Sequence, residues 1–418
     1  MRKSVLFSII GMLVIAMSSQ SYAASVDFSG QLRTRPETAD NQHFAGTEKA
    51  FIGNRVRLSA NVQAEDGVSA KITLQDVKKW GDSANTSTSQ EEQSVDIFEA
   101  YFQVDSIKGS PLSLKIGRQT LVYGDQRLLG NLGWVDQGRT HDAFKAMLNL
   151  GNVKLDLFAS KVREDVTTKG IADEDSDANI YGAYAVIGIT DGVTLDVYAL
   201  NWRDSSGGVQ TKDIWTYGAR AAVKVGGLKA TAEGVIQSGT WDDRANIDQE
   251  AYAVAVKAMY SLGMFAVGGE FVSGSGDDDS TDNKQKTFVF PFHTNHGHYG
   301  YMDNFSWGNT TAYAIHAVAK PADNLTLKAT YWFFQLTEGK GDWLNVAGTK
   351  TLLAAKAGSS EDQAGGELDL TAVYKASKSI KVVGGYSFFD AGDAVSVRGG
   401  DDGDSTWGYL MMIFNFKG

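Results

Sequence analysis

The sequence predicts an all-β fold, a transmembrane antiparallel up-and-down β-barrel of about 18 strands. Three observations support it: apolar and polar residues alternate along the chain, short and long connections alternate between the segments, and the last segment is amphipathic. Alternation with a period of two places successive side chains on opposite faces of a strand. The 3.6-residue period that is typical of helices is rare here.

The segment RVRLSANVQA shows the alternation clearly, because Val56, Leu58 and Val62 share one face while Arg55 and Arg57 share the other. A tilted strand needs about ten residues to cross a bilayer. We predict strands at residues 26–35, 52–64, 68–80, 94–105, 111–119, 143–150, 153–162, 179–190, 193–203, 212–226, 228–239, 249–262, 264–274, 310–320, 323–336, 367–377, 380–390 and 405–416.

Tight turns and long polar loops connect these segments alternately. The predicted tight turns lie at 65–67, around Gly109, and at 151–152, 191–192, 226–227, 262–263, 321–322 and 377–378. The predicted long loops lie at 36–51, 81–93, 120–142, 163–178, 275–309, 337–366 and 391–404. Outer-membrane barrels combine short periplasmic turns with long extracellular loops, so the pattern favours such a barrel.

The N-terminal segment has the features of a secretory signal peptide. Arg2 and Lys3 precede an apolar run, and the small residues of SYA at 21–23 form a cleavage signal. The run is too short for a spanning helix, which needs about 20 apolar residues. We predict a signal peptide at 1–23, one barrel domain at 24–418, and export to the outer membrane of a Gram-negative cell.

The composition excludes several classes of function. The formal net charge is −11, and loss of the two N-terminal bases would make it more negative, so we expect no nucleic-acid partner. The chain has no cysteine, which excludes disulfides and a cysteine-linked lipid anchor. Long disordered segments are not expected from a chain with 4 prolines and 11% aromatic residues.

If apolar residues face lipid, the opposite face of each strand lines the lumen and carries more bases than acids. Rings of Arg and Lys attract anions and repel cations, so we predict a pore that prefers anionic solutes. Alternatively, these charges only keep a wet lumen solvated and pair across strands. The predicted inward bases are Arg33, Arg55, Arg57, Lys71, Lys115, Lys145, Lys154, Arg220, Lys224, Lys229, Lys257, Lys328, Lys375 and Lys381.

Two blocks carry a family resemblance: GRQTLVYGDQRLLGNLGWVDQGRTHDAF at 117–144 and FPFHTNHGHYGYMDNF at 290–305. Both resemble segments of the alginate export family of outer-membrane porins. The resemblance implies a monomeric 18-stranded barrel whose electropositive constriction passes a polyanionic polysaccharide or another anionic solute outward. On that basis Arg118, Arg127 and Arg139 would lie on the inner wall and hold carboxylates.

These three arginines have an alternative role that is compatible with the first. They could form a network with Asp125, Asp136 and Asp142 that folds the loop inward. The second block lies in a long loop, which we predict to fold over or into the pore as a gating loop. The residues predicted for this role are Phe292, His293, Asn295, His296, Tyr299, Tyr301 and Asp303.

An enzymatic barrel would need a nucleophile with a base in reach, or a metal with an activated water. The chain shows neither at a recognisable spacing, so we predict no catalytic residue and no cofactor. His293, His296 and His298 have a spacing that could hold Zn²⁺. No cysteine and no His-Glu helix motif accompanies them, so we expect no metal.

The expected partners are outer-membrane lipid and lipopolysaccharide, together with an anionic saccharide or organic anion as solute. Acidic loops such as DDDSTD at 277–282 could bind Ca²⁺ or Mg²⁺ that bridges them to lipopolysaccharide phosphates, although a solvated acidic loop is the simpler interpretation. A barrel that acts as a scaffold, receptor or sheath for a periplasmic partner, without transport, is the alternative function. Conductance of the purified protein would separate the two.

Overall fold

A computed structural model describes residues 24–81, 95–164, 177–205, 211–294 and 296–418. Eighteen antiparallel strands of these residues close into a barrel, because the first strand pairs with the last. The predicted fold class is therefore confirmed. No helix in the described ranges combines the length and apolar character that a membrane span requires.

The barrel strands follow one another around the wall in chain order. They are β1 (Ser25–Asp40), β2 (Glu48–Glu65), β3 (Val68–Lys79), β4 (Asp96–Val104), β5 (Leu112–Gln119), β6 (His141–Asn149), β7 (Val153–Arg163), β8 (Ala178–Thr190), β9 (Val193–Asp204), β10 (Lys212–Val225), β11 (Leu228–Asp242), β12 (Ile247–Leu262), β13 (Phe265–Gly274), β15 (Thr310–Ala322), β16 (Leu325–Gln335), β19 (Gln363–Lys375), β20 (Ile380–Ala391) and β21 (Ser405–Lys417). Loops hold three short strands, β14 (Lys284–Gln285), β17 (Trp343–Leu344) and β18 (Thr351–Leu353), and the helix α1 (Asp393–Val397).

Every predicted strand has a counterpart, and one predicted loop is wrong. Residues 36–51 were expected to form a long loop, but β1 and β2 continue as a hairpin until Thr38 pairs with Ala50 and Asp40 with Glu48. The alternation continues past Pro36, with Glu37 buried on the inner side. The actual connection comprises only residues 41–47.

The two ends of the barrel differ as predicted. Residues 66–67, 191–192, 226–227 and 263–264 are tight connections at one end. Gly192 has a φ of +77°, and a Cβ there would lie 2.2 Å from the carbonyl oxygen of Lys224, so this turn requires glycine. By analogy with other outer-membrane barrels, the turn end is periplasmic and the loop end extracellular.

The outer surface of the barrel is apolar along its strands. Phe28, Phe144, Ile236 and Ile315 are each more than half exposed, with values of 53%, 67%, 62% and 64%. The C-terminal strand also presents the side chains of Leu410, Met412, Phe414 and Phe416 on this surface. An apolar belt of this kind faces lipid rather than water.

The interior of the extracellular half is filled by two loops. Residues 120–140 are the first inner loop, residues 275–309 are the second inner loop, and together they form the inner plug. The aromatic rings of Phe288, Phe305 and Trp307 in the second inner loop are buried in one cluster with Leu121 and Leu129 of the first. The prediction that residues 275–309 fold into the barrel therefore agrees with the structure.

Candidate functional site

Four arginines form a basic strip on the inner wall, which we call the arginine strip. Arg33 and Arg35 alternate along β1, Arg55 and Arg57 alternate along β2, and Arg33 lies directly opposite Arg55. Arg33, Arg35 and Arg55 are buried, and Arg57 is partly exposed. Like charges opposite each other destabilise a strand pair, so the strip requires compensating groups.

The backbone of the first inner loop supplies part of this compensation. Three arginines donate hydrogen bonds to three consecutive carbonyl groups of the loop. The bonds run from Arg33 to Gly133 at 2.9 Å, from Arg35 to Trp134 at 2.7 Å and from Arg55 to Val135 at 3.3 Å. The strip therefore holds this part of the loop inside the barrel.

Two carboxylates pair with the arginine strip within the described ranges. Asp136 of the first inner loop forms an ion pair with Arg33 and lies 3.8 Å from Arg35. Glu37 lies 2.6 Å from Arg35. Four guanidinium groups thus face two carboxylates, and the strip retains a positive charge.

Arg57 is the member of the strip that is most open to the lumen. Its Nε donates to Oε1 of Gln75 at 2.7 Å, and its guanidinium lies 3.6 Å from the centre of the Phe98 ring. Both neighbours are uncharged. Direct contacts therefore orient the Arg57 guanidinium without neutralising it.

The two inner loops are locked together by their backbones. Gly130 N–H donates to the carbonyl of Phe292 at 2.9 Å, and Thr294 N–H donates to that of Gln126 at 2.9 Å. Arg139 adds a bond of 2.8 Å to the carbonyl of His293. Burial lowers the pKa of Arg139 to about 10, which still leaves it charged at neutral pH. Arg139 therefore lies inside the plug, where it joins the two loops.

Glu270 is the central acceptor beneath the plug. Its carboxylate pairs with Arg127 of the first inner loop, with Lys257 at 2.7 Å, and with His316 at 3.1 Å. Arg127 also lies 3.4 Å from Asp125, and the side chains of Arg127 and Glu270 are only 2% and 1% exposed. Arg127 and Asp125 thus belong to the predicted network that folds the loop inward.

Three tyrosines form a stacked row along the adjoining wall. The ring centres of Tyr123 and Tyr184 lie 4.6 Å apart, and those of Tyr184 and Tyr198 lie 5.2 Å apart. Each hydroxyl donates to an inward carboxylate: Tyr123 to Asp156 at 2.9 Å, Tyr184 to Asp196 at 2.8 Å and Tyr198 to Glu233 at 2.6 Å. The row fixes the start of the first inner loop to β7, β8 and β9.

The remaining predicted wall bases lie on the inner face with different partners. Lys145 lies 3.2 Å from Asp156, and Arg220 lies 3.2 Å from Asp196. Lys115 has its Nζ 3.7 Å from the centre of the Tyr101 ring. The alternative role, pairing across strands, therefore applies to the first two bases.

Arg118 does not lie in the lumen, which corrects its predicted position. Its side chain shares the outward face of β5 with Ile116, and the partner strand presents Asp142 beside the lipid-facing Phe144. Arg118 and Asp142 form a bidentate pair with two distances of 2.8 Å, and both are about half exposed. The alternation of β5 continues to its last residue and turns Arg118 outward.

The predicted gating loop is an aromatic part of the plug. The His296 ring stacks between Trp134 and Tyr301, with centre distances of 3.9 and 4.9 Å, and its Nδ1 lies 3.2 Å from Asp303. The loop is thereby packed against the first inner loop. Tyr299 and Phe292 are buried in the core of the plug, while Asn295 lies outside the described residues.

The histidines of this loop point to separate partners. Both ring nitrogens of His293 lie near backbone carbonyls, at 2.7 and 2.8 Å, whereas His298 donates through Nε2 to the carbonyl of Asp125 at 2.9 Å. Among the described residues, no group of three or more His, Asp or Glu side chains is arranged to hold a metal ion. His293 and His298 therefore anchor the loop through their contacts with backbone carbonyls.

A buried glutamate attaches the second inner loop to the wall. Glu367, which is fully buried on β19, accepts a hydrogen bond of 2.9 Å from the N–H of Met302. Gly300 has a φ of +84°, and a Cβ there would lie 2.5 Å from the Glu367 carboxylate, so the loop approaches this closely only with glycine. Glu367 was not among the predicted site residues.

Other residues of the site were also missed. Arg35 follows the same alternation as Arg33, so the motif RTR at 33–35 could have identified it. The alternation along residues 264–274 turns Glu270 to the inner face, so its position was predictable, but its contact with Arg127 was not. Trp134 carries no comparable signal, because its importance depends on contacts with distant parts of the chain. Arg127 and Glu270 are separated by 143 residues.

Comparisons with known proteins agree with this architecture. The family model described as Alginate export matches residues 24–409. No relative among the curated proteins matches the chain significantly. Several solved structures from Pseudomonas aeruginosa have a similar fold.

Three of these structures illustrate the likeness. The outer membrane protein OprD superimposes with a TM-score of 0.64 at 13% identity, covering 94% of each chain. OccK9 (OpdG) gives 0.65 at 12% identity, and OccK2 (OpdF) in complex with glucuronate gives 0.60 at 14%; both comparisons cover 94% of this chain and 98% of the other. With a family match over nearly the whole described barrel, the chain belongs to the alginate export family of outer-membrane β-barrel porins.

Proposed function

We propose that this protein is an outer-membrane channel that prefers anionic solutes and passes a polyanionic polysaccharide or small organic anions. Movement is passive, because a pore needs no chemical step. The solutes best suited to the inner wall carry carboxylates, which match the planar donor groups of arginine.

The observation that carries this proposal is the arginine strip. Four guanidinium groups on two paired strands meet two carboxylates, and the partly exposed Arg57 adds its charge to the lumen. A charged wall beside a narrow passage focuses the electric field and raises the local concentration of counter-ions. The strip would therefore favour anions over cations as they pass.

Lysines extend this charge toward the periplasmic end. Their strand register supports an inward orientation near the tight turns. They are Lys71, Lys115, Lys145, Lys154, Lys224, Lys229, Lys375 and Lys381. Lys71 pairs with Glu99 at 2.6 Å and Lys145 pairs with Asp156 at 3.2 Å, whereas the other six form no ion pair within the described ranges. A basic entrance of this kind would draw a polyanion into the barrel from the periplasm.

The class of solute is suggested by the comparisons. The family is described as Alginate export, and alginate is a polymer of uronic acids, so each of its sugar units carries a carboxylate. One similar barrel, OccK2 (OpdF), has been solved in complex with glucuronate, which is a single uronic acid. We therefore extend the proposal to carboxylated saccharides.

Substitution of Arg57 by methionine is expected to reduce the preference for anions. A unit charge about 10 Å from a passing ion in a water-like dielectric contributes about 0.4 kcal/mol, with opposite sign for chloride and potassium, which corresponds to a roughly fourfold change in the chloride-to-potassium permeability ratio. The measurement is the reversal potential of single channels in a planar bilayer under a KCl gradient.

Arg118→Met is the matched control, because it removes the same charge from the outward face. Its permeability ratio should equal that of the unmodified protein. A cation-selective channel, or equal effects of the two substitutions, would contradict the proposal. A protein that folds but never conducts would instead favour the scaffold function.

A further inference from the structure

A second basic site lies away from the arginine strip, in a cavity of about 190 Å³ below the second inner loop. Met259, Val318 and Lys328 line it from the wall, each within a few residues of a tight turn. His298 and Tyr301 cover it from the loop. The cavity is therefore on the periplasmic side of the inner plug.

The positive charges at this cavity are only partly neutralised by carboxylates in direct contact with them. Lys257 lines the cavity and pairs with Glu270, but the same carboxylate also serves Arg127 and His316. Lys328 is exposed to the lumen and forms no ion pair with any residue in the described ranges. Because Lys257 and Lys328 line the same cavity, their positive charges repel each other. An anion that binds here would relieve this repulsion.

One acid, Asp369, also lines the cavity, but it is already bonded. It accepts a hydrogen bond of 2.5 Å from the hydroxyl group of Ser387. Two lysines therefore face one carboxylate in the lining of the cavity.

The size and lining of the cavity fit a small polar ligand. Pockets for drug-sized molecules measure about 300–1,000 Å³, so this cavity suits one sugar unit. The buried indole of Trp332 supplies an apolar side, and Thr330 and His316, which lie 3.0 Å apart in a hydrogen bond, supply a polar side. An apolar face beside polar groups and lysines matches a pyranose ring that bears a carboxylate.

We propose that this cavity is a second anion subsite, in which Lys328 and Lys257 bind the carboxylate of one uronate unit. The inference rests on the proposed function and adds a second binding position along the pore. The subsite is built on β12, β15, β16 and β19, whereas the arginine strip is on β1 and β2. A uronate chain entering from the periplasm would meet the subsite below the plug.

The test is the affinity of the full, processed protein for glucuronate, measured by titration calorimetry in detergent. Lys328→Met is expected to weaken binding at one site about tenfold, since charge-assisted hydrogen bonds are the strong ones. Lys328→Arg, which keeps the charge, should restore most of the affinity. Lys356→Met is the matched control, because it removes an exposed lysine of the loop between β18 and β19, outside the cavity and away from the inner wall.

Control ligands show which part of glucuronate the cavity recognises. Glucose should not bind, and acetate should bind more weakly than glucuronate, because only glucuronate combines the ring and the carboxylate. Equal affinities for Lys328→Met and Lys356→Met would overturn the subsite, even if the channel proved anion-selective. Conversely, a cation-selective channel that still loses glucuronate binding through Lys328→Met would refute the proposed function and leave the subsite intact.

Discussion

Replacing Glu270 by glutamine is expected to lower the free energy of unfolding by about 3 to 5 kcal/mol. The substitution leaves Arg127 buried without its ion-pair partner on the wall. Asp125, at 3.4 Å, remains beside Arg127 but is more exposed. Because a glutamine amide carries no charge, it compensates neither Arg127 nor Lys257. Urea unfolding of the barrel in lipid vesicles, followed by tryptophan fluorescence, measures the change.

Glu250→Gln provides the control for this measurement. Glu250 pairs with Lys284 at the extracellular rim, where the two side chains are 63% and 46% exposed. Exposed pairs contribute about 0 to 1 kcal/mol, so this variant should unfold almost like the unmodified protein. If both variants unfold alike, Glu270 is not the central acceptor of the plug.

The barrel itself could be predicted from the sequence because its determinants are local. Each strand carries its own alternation, and each tight turn lies within a few residues of it. The same alternation placed Arg33, Arg55 and Arg57 on the inner face, where the structure has them. Where alternation was set aside for a motif, as at Arg118, the predicted position was wrong.

The inner plug could not be derived in this way. Its contacts join residues far apart in the chain: Arg33 and Gly133 are 100 residues apart, and Gln126 and Thr294 are 168 apart. No periodicity in a loop indicates which wall residue will meet it. The sequence therefore predicted that arginines and aromatic residues occupy the interior, but not that the arginines hold a loop backbone.

The inward arginines of the first sequence block and the arginine strip all hold the inner plug. Arg127 and Arg139 fix the plug through Glu270 and the carbonyl of His293. The arginine strip also fixes the plug, and its remaining charge is available to a solute through Arg57. A solute anion that competes for the strip would weaken the bonds that hold residues 133–137. Binding of a solute at the strip would therefore be linked to the position of the plug.

Acidification is expected to release the second inner loop from the first. Burial, with the nearby positive charge of Arg127, lowers the pKa of His298 to about 3. Burial lowers the pKa of His293 as well. An opened loop would expose these rings to water, where histidine titrates near pH 6.5. The docked loop therefore holds the His298 ring neutral, while the opened loop allows this ring to take up a proton.

The sign of the pH dependence follows from this difference. Between about pH 6.5 and pH 3 the opened loop binds more protons than the docked loop, so the stability of docking falls as the pH falls through this window. Each unit of pKa depression corresponds to about 1.4 kcal/mol, so His298 alone can cost several kcal/mol by about pH 4. At pH 7 and above, the contribution is constant and docking is strongest.

His298→Gln separates this effect from the titration of other groups. Glutamine cannot titrate, and its amide can still donate to the carbonyl of Asp125 that His298 now contacts. Protease cleavage within residues 275–309, measured between pH 7 and pH 4, should rise steeply in the unmodified protein and less steeply in the variant. Identical pH profiles would mean that His298 stays buried when the loop opens, and that opening involves only the exposed residues 278–282. A flatter profile would identify the contact between His298 and Asp125 as the point where the two inner loops part.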